Sequence, residues 1–342
     1  MTIRFPAPLR PGDRIGITSP SSGVGEPFRP RLDFCVATLR ERGFEVEIGS
    51  CMNGDGHVSA PVRARAAELM RMLTDPAIRA VVPPWGGETA IDLLPFLDWA
   101  VIAAAEPTWY VGYSDNSTIM LPLTLRAGWA TLHGSNLMDT PLVTEPGLAS
   151  WLDLATLEPG RSIVQTSPGL FWPEPFVDFR QQPEITRPDY RSGRGWTRLD
   201  ADGPVDVSGR LIGGCIETIC HLAGTAYGDT AAFASRQQPD PLIVFVEAAE
   251  DNAFTICRSL HGMRLAGFFD AAEAVLIGAT LAPDAATMTQ HDAVLDALGP
   301  LRVPLIADVE CGHVYPRLPL MTGALGRVEF GPGVARLTQT AG

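Results

Sequence analysis

The sequence predicts an α/β protein in which the first half forms a doubly wound parallel sheet and the second half a smaller α/β domain of mixed sheet. In the first half, short apolar strands alternate with helical stretches, which is typical of a parallel sheet covered by helices. Turns rich in glycine and serine follow several of these strands. In the second half, apolar strands and helices alternate again after a long irregular segment.

The elements of the first half follow from apolar periodicity, taken in chain order. The predicted strands are Arg14–Thr18, Phe44–Ile48, Ala80–Pro83 and Trp109–Gly112, and the predicted helical stretches are Arg29–Gly43, Ala60–Leu73 and Thr89–Leu97. Gly43 suits a helix C-cap because glycine adopts a left-handed backbone without steric cost. Residues 1–150 are therefore interpreted as one domain, with its site at the carboxyl ends of the strands.

The alternating pattern is lost between residues 151 and 208, where Pro, Gly, Arg and aromatic residues dominate. A connection this long is typically a functional lid or a disordered linker. Trp172 and Trp196 favour an ordered lid, but aromatic residues that only join two domains would give the same composition. Both interpretations stay open.

Residues 209–342 are interpreted as the second domain. The stretch VSGRLIGGC predicts a glycine turn that leads into a helix. It is followed by a fully apolar strand that ends on Glu247, a helix to about Ala266, and strands at Ala274–Gly278 and Pro304–Asp308.

Composition excludes several functions. All 26 basic residues are arginine, which excludes a Schiff-base lysine, a Walker-type phosphate loop and a Ser-Lys dyad. The net charge of -13 argues against nucleic acid polymers and anionic membranes as partners. The longest apolar stretch, Trp99–Ala105, is too short to span a bilayer, and the first residues lack the apolar core of a signal peptide. We therefore expect a cytoplasmic protein whose six scattered cysteines are reduced thiols.

The most informative motif for chemistry is GYSDN, which joins a predicted strand to a helix. A serine on such a turn has the geometry of a nucleophile elbow, with its hydroxyl at the positive end of a helix. Only half of the GxSxG pattern is present, because Asn116 occupies the position of the second glycine. Alternatively, Ser114, Asp115 or Asn116 only caps the helix, and this segment alone favours the cap.

A second turn at a strand end, WGGE, contains Gly86, Gly87 and Glu88. Paired glycines allow backbone amides to point toward a bound oxygen, as an oxyanion hole requires. A phosphate-binding loop is disfavoured because neither a GxGxxG pattern nor a lysine follows. A tight turn without chemical function is the alternative.

A serine nucleophile needs a base and an orienting carboxylate. His313 is the preferred base because it follows a glycine at the end of a predicted strand, and His133 is the second candidate. Glu247 ends a strand of Leu, Ile, Val and Phe, where a carboxylate is costly unless paired, and this favours a functional role. The sequence contains no HExxH or similar metal-ligand spacing.

Together these motifs resemble those of the LD-carboxypeptidase family of serine peptidases, which includes the microcin C immunity proteins. The resemblance extends over nearly the whole chain and rests on a shared order of motifs, namely GITSPSS, GGE, GYSD, LHG, GRLIGGC, VFVE and GH. At HGSN, from His133 to Asn136, the sequence departs from the family pattern, which predicts a proline after the glycine.

The resemblance implies a Ser-Glu-His triad formed across two domains, with Ser114 as nucleophile, Glu247 as orienting carboxylate and His313 as base. Backbone amides near Gly87 and Asp115 would form the oxyanion hole. The resemblance also implies an N-terminal domain of the flavodoxin or class I amidotransferase type, a homodimer, and activity without metal or organic cofactor.

Two branches of the family differ in substrate. One trims the terminal D-alanine from murein tetrapeptides during peptidoglycan recycling, and the immunity-like branch hydrolyses the amide between an acyl-aspartyl group and a modified adenylate. The GGE turn and the aromatic segment favour the immunity-like branch, in which Gly86, Glu88, Trp172 and Trp196 would contact a small peptide or peptidyl-nucleotide substrate. A non-catalytic ligand-binding protein on the same scaffold is the alternative from a different class.

Overall fold

The computed structural model describes residues 2–174, 177–237 and 239–342. Its strands are β1 (Arg14–Ile17), β2 (Glu45–Ile48), β3 (Ile78–Val81), β4 (Trp109–Gly112), β5 (Thr131–His133), β6 (Ser162–Thr166), β7 (Leu170–Phe171), β8 (Arg191–Ser192), β9 (Thr197–Arg198), β10 (Val205–Cys215), β11 (Leu242–Glu247), β12 (Ala272–Gly278), β13 (Leu305–Val309), β14 (Leu320–Thr322), β15 (Leu325–Gly331) and β16 (Val334–Thr340). Its helices are α1 (Arg29–Glu41), α2 (Val62–Thr74), α3 (Trp99–Ala104), α4 (Ser117–Leu125), α5 (Trp151–Ala155), α6 (Ile216–Ile219), α7 (Thr230–Arg236), α8 (Ala253–Leu265) and α9 (Gln290–Leu298). Within the described residues, every helix is too short or too polar to cross a bilayer.

The first sheet has the strand order β14-β5-β4-β3-β1-β2. Strands β1 to β5 pair in parallel, which confirms the doubly wound sheet, and their order 2-1-3-4-5 is that of flavodoxin-like folds. The strand order reverses between β1 and β3. Such a reversal leaves a crevice at the carboxyl ends of the strands, where ligands bind in open α/β sheets.

The second sheet has the order β6-β16-β15-β10-β11-β12-β13-β9. Strands β10 to β13 are parallel and the outer strands antiparallel, which confirms a mixed sheet. It is wider than expected because β6 and β9, both from the segment 151–208, form its two edges. Part of the predicted lid is therefore built into the second sheet, while residues 175 and 176 of that segment lie outside the described residues.

Next to His313, the polypeptide chain crosses from the second sheet to the first. Strand β13 belongs to the second sheet, whereas β14 pairs antiparallel with β5 of the first, with Leu320 opposite His133. The loop between β13 and β14 therefore runs from one sheet to the other, and this crossing places His313 beside the carboxyl ends of the N-terminal strands.

Two local expectations differ from the structure. The predicted glycine turn before Cys215 is instead part of the long strand β10. Its glycines permit close pairing, since a Cβ at Gly213 would lie 2.7 Å from the carbonyl carbon of Phe245 on β11. The predicted helical stretch Thr89–Leu97 is a 3-10 helix, Ala90–Phe96, that contains Pro95, and proline lacks the N–H that an α-helix needs.

Candidate active site

Ser114 lies where β4 turns into a helix. Its φ is +64°, a left-handed conformation that is uncommon for a residue with a side chain. The chain continues as the short 3-10 helix Ser114–Asn116 and then as α4. This strained turn has the geometry expected of a nucleophile elbow.

Asn116, at the position of the missing second glycine, anchors the elbow. Its Nδ2 donates to the carbonyl of Trp85 at 3.1 Å and to Oδ1 of Asn136 at 2.9 Å. Its Oδ1 accepts from the Tyr110 hydroxyl at 2.8 Å, and Asn136 Oδ1 also accepts from the Tyr113 N–H at 3.2 Å. Sequence reasoning did not identify Asn136 as a site residue, and its only signal was the departure from the family pattern in HGSN.

The WGGE turn passes directly beside the elbow. A Cβ at Gly86 would lie 2.8 Å from Cβ of Ser114 and 2.9 Å from the amide nitrogen of Asp115, so only glycine fits there. Gly87 has a φ of +145°, and a Cβ at that position would lie 2.5 Å from the hydroxyl oxygen of Ser22. The N–H groups of Gly87 and Asp115 have no hydrogen-bond acceptor among the described residues. Unpaired amides beside a serine are what an oxyanion hole requires.

Glu247 and His313 form a buried pair. Glu247 ends β11 with a fully buried side chain, and its Oε2 lies 2.7 Å from Nδ1 of His313. Burial alone would raise the pKa of the Glu247 carboxyl, but His313 and the nearby imidazole of His133 hold it well below its usual range. The pair therefore presents an ionised carboxylate to the imidazole that it orients.

Ser114 and His313 line the same cavity, which has a volume of about 650 Å³. That volume suits a small organic ligand. The remaining lining residues are largely aromatic or apolar, with a few charged side chains: Ser22, Phe28, Pro84, Trp85, Gly86, Gly87, Tyr113, Asn136, Met138, Asp139, Glu174, Val177, Asp178, Phe179, Arg180 and Tyr315.

Arg317 forms a buried network behind this cavity. Its Nη1 lies 2.5 Å from Oδ2 of Asp139, and its Nη2 donates to the Tyr113 hydroxyl at 2.6 Å. Its Nε donates to the carbonyl of Gly312 at 2.6 Å. Burial opposes the charge on Arg317, but Asp139, Tyr113 and Tyr315 together outweigh burial and raise the pKa of the guanidinium. The network thus ties the residue before the candidate base to side chains around the cavity.

The other predicted substrate contacts are less central. Glu88 is exposed and, like Trp172 and Trp196, is not among the residues that line the cavity. Trp196 is 7% exposed, and its indole N–H donates to Oε2 of Glu310 at 2.6 Å. Trp172 lies nearer, because its backbone N–H donates to the carbonyl of Tyr315 at 2.8 Å. In this arrangement the Trp196 side chain supports the second sheet instead of the cavity.

Two groups of side chains among the described residues have the composition of a metal site. The ligand atoms of Cys215, Glu247 and His313 lie within 4.8 Å of one another, as do those of Cys257, His261 and Asp296. In the first group, the 2.7 Å contact between Glu247 and His313 has the length of a direct hydrogen bond. This geometry favours a carboxylate that orients an imidazole.

Known proteins and family models match this chain over most of its length. The LD-carboxypeptidase N-terminal domain model matches residues 15–134, and the LD-carboxypeptidase C-terminal domain model matches residues 208–328. A protein of Vibrio cholerae that is named as a carboxypeptidase is 27% identical over 93% of this chain and 93% of its own. The microcin C7 self-immunity protein MccF of Escherichia coli is 25% identical over 95% of this chain and 92% of its own.

Solved structures of MccF share the fold. The structure of MccF in complex with aspartyl sulfamoyl adenosine superimposes with a TM-score of 0.81 and 23% identity, and the match covers 98% of each chain.

Proposed function

The chain belongs to the LD-carboxypeptidase family of serine carboxypeptidases, and we propose that Ser114, Glu247 and His313 are its catalytic triad. The proposed reaction is hydrolysis of an amide bond at the C-terminal end of a small peptide-like substrate. One observation carries the proposal: Glu247 lies 2.7 Å from Nδ1 of His313, and His313 shares a cavity with Ser114.

In the proposed mechanism, the Ser114 hydroxyl attacks the scissile carbonyl while Nε2 of His313 takes its proton. Glu247 holds Nδ1 and stabilises the imidazolium. The amides of Gly87 and Asp115 stabilise the oxyanion, and His313 then protonates the leaving amine. Water activated by the same imidazole hydrolyses the acyl-enzyme and regenerates Ser114.

For the substrate, we propose an aminoacyl nucleotide, as in the immunity-like branch. Phe28 and Trp85 line the cavity and meet edge to face with ring centroids 5.0 Å apart. Half-buried aromatic rings that line a cavity beside a nucleophile suit a nucleobase, because every base has a face on which an aromatic ring can stack. MccF structures of the same fold include one with aspartyl sulfamoyl adenosine, and this similarity supports the same ligand class here.

The triad is tested with a serine-directed fluorophosphonate probe and with turnover. We expect the wild type to gain one adduct on Ser114, and Ser114→Ala to gain none. Ser114→Ala, Glu247→Ala and His313→Ala should each lower turnover by ~10³-fold or more, whereas Ser162→Ala, at an exposed position of β6, should match the wild type. A folded wild type that hydrolyses nothing and is not labelled would instead be a non-catalytic binding protein.

The branch is tested by comparing two substrates at equal enzyme concentration. Release of aspartate from aspartyl sulfamoyl adenosine should have the higher kcat/KM. A higher kcat/KM for release of D-alanine from a murein tetrapeptide would assign the protein to the cell-wall recycling branch and leave the triad proposal intact.

A cytoplasmic location and a homodimeric state, which the family resemblance implies, belong to the same proposal. Analytical ultracentrifugation of the full chain measures the oligomeric state directly.

A further inference from the structure

His133 is a buried histidine next to the carboxylate of Glu247. It ends β5, is 1% exposed, and neither ring nitrogen is bonded within the described part of the chain. Oε1 of Glu247 is likewise buried and without a partner, and it lies 3.6 Å from Nε2 of His133. Buried polar atoms are normally paired, so two such atoms that face each other require an explanation.

Glu247 lies between two imidazoles. Its Oε2 meets Nδ1 of His313 at 2.7 Å, and its Oε1 faces Nε2 of His133. The His133 ring is held by edge-on contacts with Phe245 and Tyr113, at centroid distances of 5.1 and 6.5 Å. A movement of less than ~1 Å would bring Nε2 and Oε1 to ordinary hydrogen-bond length.

We propose that His133 is a positioning residue of the triad, whose Nε2–H donates to Oε1 of Glu247 and so keeps Oε2 directed at His313. The inference rests on the proposed function. His133 is not among the residues that line the cavity, so it acts through Glu247 and not on the substrate.

The same environment contains other titratable groups. Tyr113 and His313 lie on the cavity side of the carboxylate. Cys215 at the end of β10, Glu217 on α6 and Cys311 after β13 interact with Glu247 electrostatically. The thiols are weak donors and an ionised Glu217 only accepts, whereas Nε2 of His133 lies 3.6 Å from Oε1. The imidazole of His133 is therefore the N–H donor that faces this oxygen.

The test compares His133→Leu, which removes the donor, with His133→Gln, whose amide NH₂ can reach the position of Nε2. The readout is the rate of Ser114 labelling by the fluorophosphonate as a function of pH, which requires no known substrate. We expect the Leu variant to lose ~10- to 100-fold in rate, the range for removal of an outer hydrogen-bond partner. The Gln variant should recover most of the loss.

The pH profile separates positioning from a purely structural role. Without a donor on Oε1, the carboxylate carries more charge toward His313 and holds the imidazolium proton more firmly. The acidic limb of the labelling rate against pH should therefore move to higher pH in His133→Leu. His221→Gln, which changes an exposed histidine, is the control and should have the acidic limb of the wild type. The proposal would be overturned if His133→Leu had the same labelling rate and the same acidic limb as the wild type. It would also be overturned if His133→Gln were labelled as slowly as His133→Leu.

The wild-type protein provides an independent measurement. Nitrogen-15 NMR of labelled histidine should show a protonated Nε2 on His133. An unprotonated Nε2 would refute the proposal, and this measurement does not depend on whether either variant folds. If the His133 proposal fails while Ser114 is still labelled, the triad proposal stands. If Ser114 is not labelled in the wild type, both the triad proposal and the His133 proposal are wrong.

Discussion

Gly312 lies against the carboxylate of Glu247 so closely that a Cβ at position 312 would stand 2.5 Å from Cδ of the glutamate. Gly312 also has a φ of +95°. Position 312 therefore needs glycine for two reasons. Its backbone is left-handed, and the Glu247 carboxylate occupies the space that a side chain would need. Sequence reasoning used this glycine as a sign of a strand-end loop and as part of the GH motif, and neither use predicts its contact with Glu247.

Gly312→Ala should displace Glu247 from Nδ1 of His313 and lower turnover by ~10²-fold, since a misplacement of about 1 Å at a reacting group costs that much. The matched control is Gly333→Ala, which also has a left-handed φ, +74°, but meets no atom within 4 Å. The control should lose ~1–2 kcal/mol of stability through backbone strain and keep its activity. Equal activity of the two variants in a turnover assay would contradict the steric argument.

Trp85→Leu should lower kcat/KM for aspartyl sulfamoyl adenosine by ~5- to 100-fold, because a stacked base contributes about 1–3 kcal/mol. Turnover of a murein tetrapeptide, which has no base, should change less. Phe254→Leu is the control, since Phe254 is an exposed aromatic residue on α8. A parallel loss on both substrates would assign Trp85 to the support of the elbow instead of to base recognition.

Arg317→Met should destabilise the protein by ~3–5 kcal/mol in urea unfolding, because it leaves Asp139 buried without its cation. Adding Asp139→Asn should recover part of that loss. The comparison is Arg327→Met, which breaks the exposed pair with Asp206 and should hardly move the unfolding midpoint. If Arg317→Met were as stable as Arg327→Met, the buried network would not be supporting the fold.

The stability of the second domain should depend on pH through His291. Its interaction with Asp308, at 3.4 Å, raises the pKa of the imidazole. A raised folded pKa means that this contribution is fully present below the unfolded value of about 6.5 and is lost as pH rises through the folded value. Urea midpoints measured across this window should fall with rising pH in the wild type and fall less in His291→Gln. His57→Gln, at an exposed loop position, should retain the wild-type slope.

The sequence predicts the elements of this protein well where a local pattern encodes them. The strand Trp109–Gly112 has the predicted bounds, and the strands that lead to Glu247 and Gly312 lie within two residues of their predicted positions. Strand-end logic also selected Ser114, Glu247 and His313, because a polar side chain directly after a buried strand is visible in the sequence. Where glycines formed a strand instead of a turn, as before Cys215, the local pattern was ambiguous.

The amino-acid sequence by itself determined the fold class, the family and the three candidate catalytic side chains, since periodicity and motif order are properties of neighbouring residues. Only the tertiary structure decided which groups surround them: Asn136 at the elbow, Arg317 behind the histidine loop, and His133 on the free oxygen of Glu247. Glu247 and His313 meet across 66 positions because β11 and the loop after β13 end at the same edge of one sheet. Such distant contacts depend on strand order and on the crossing of β14 into the first sheet, which no local stretch of sequence encodes.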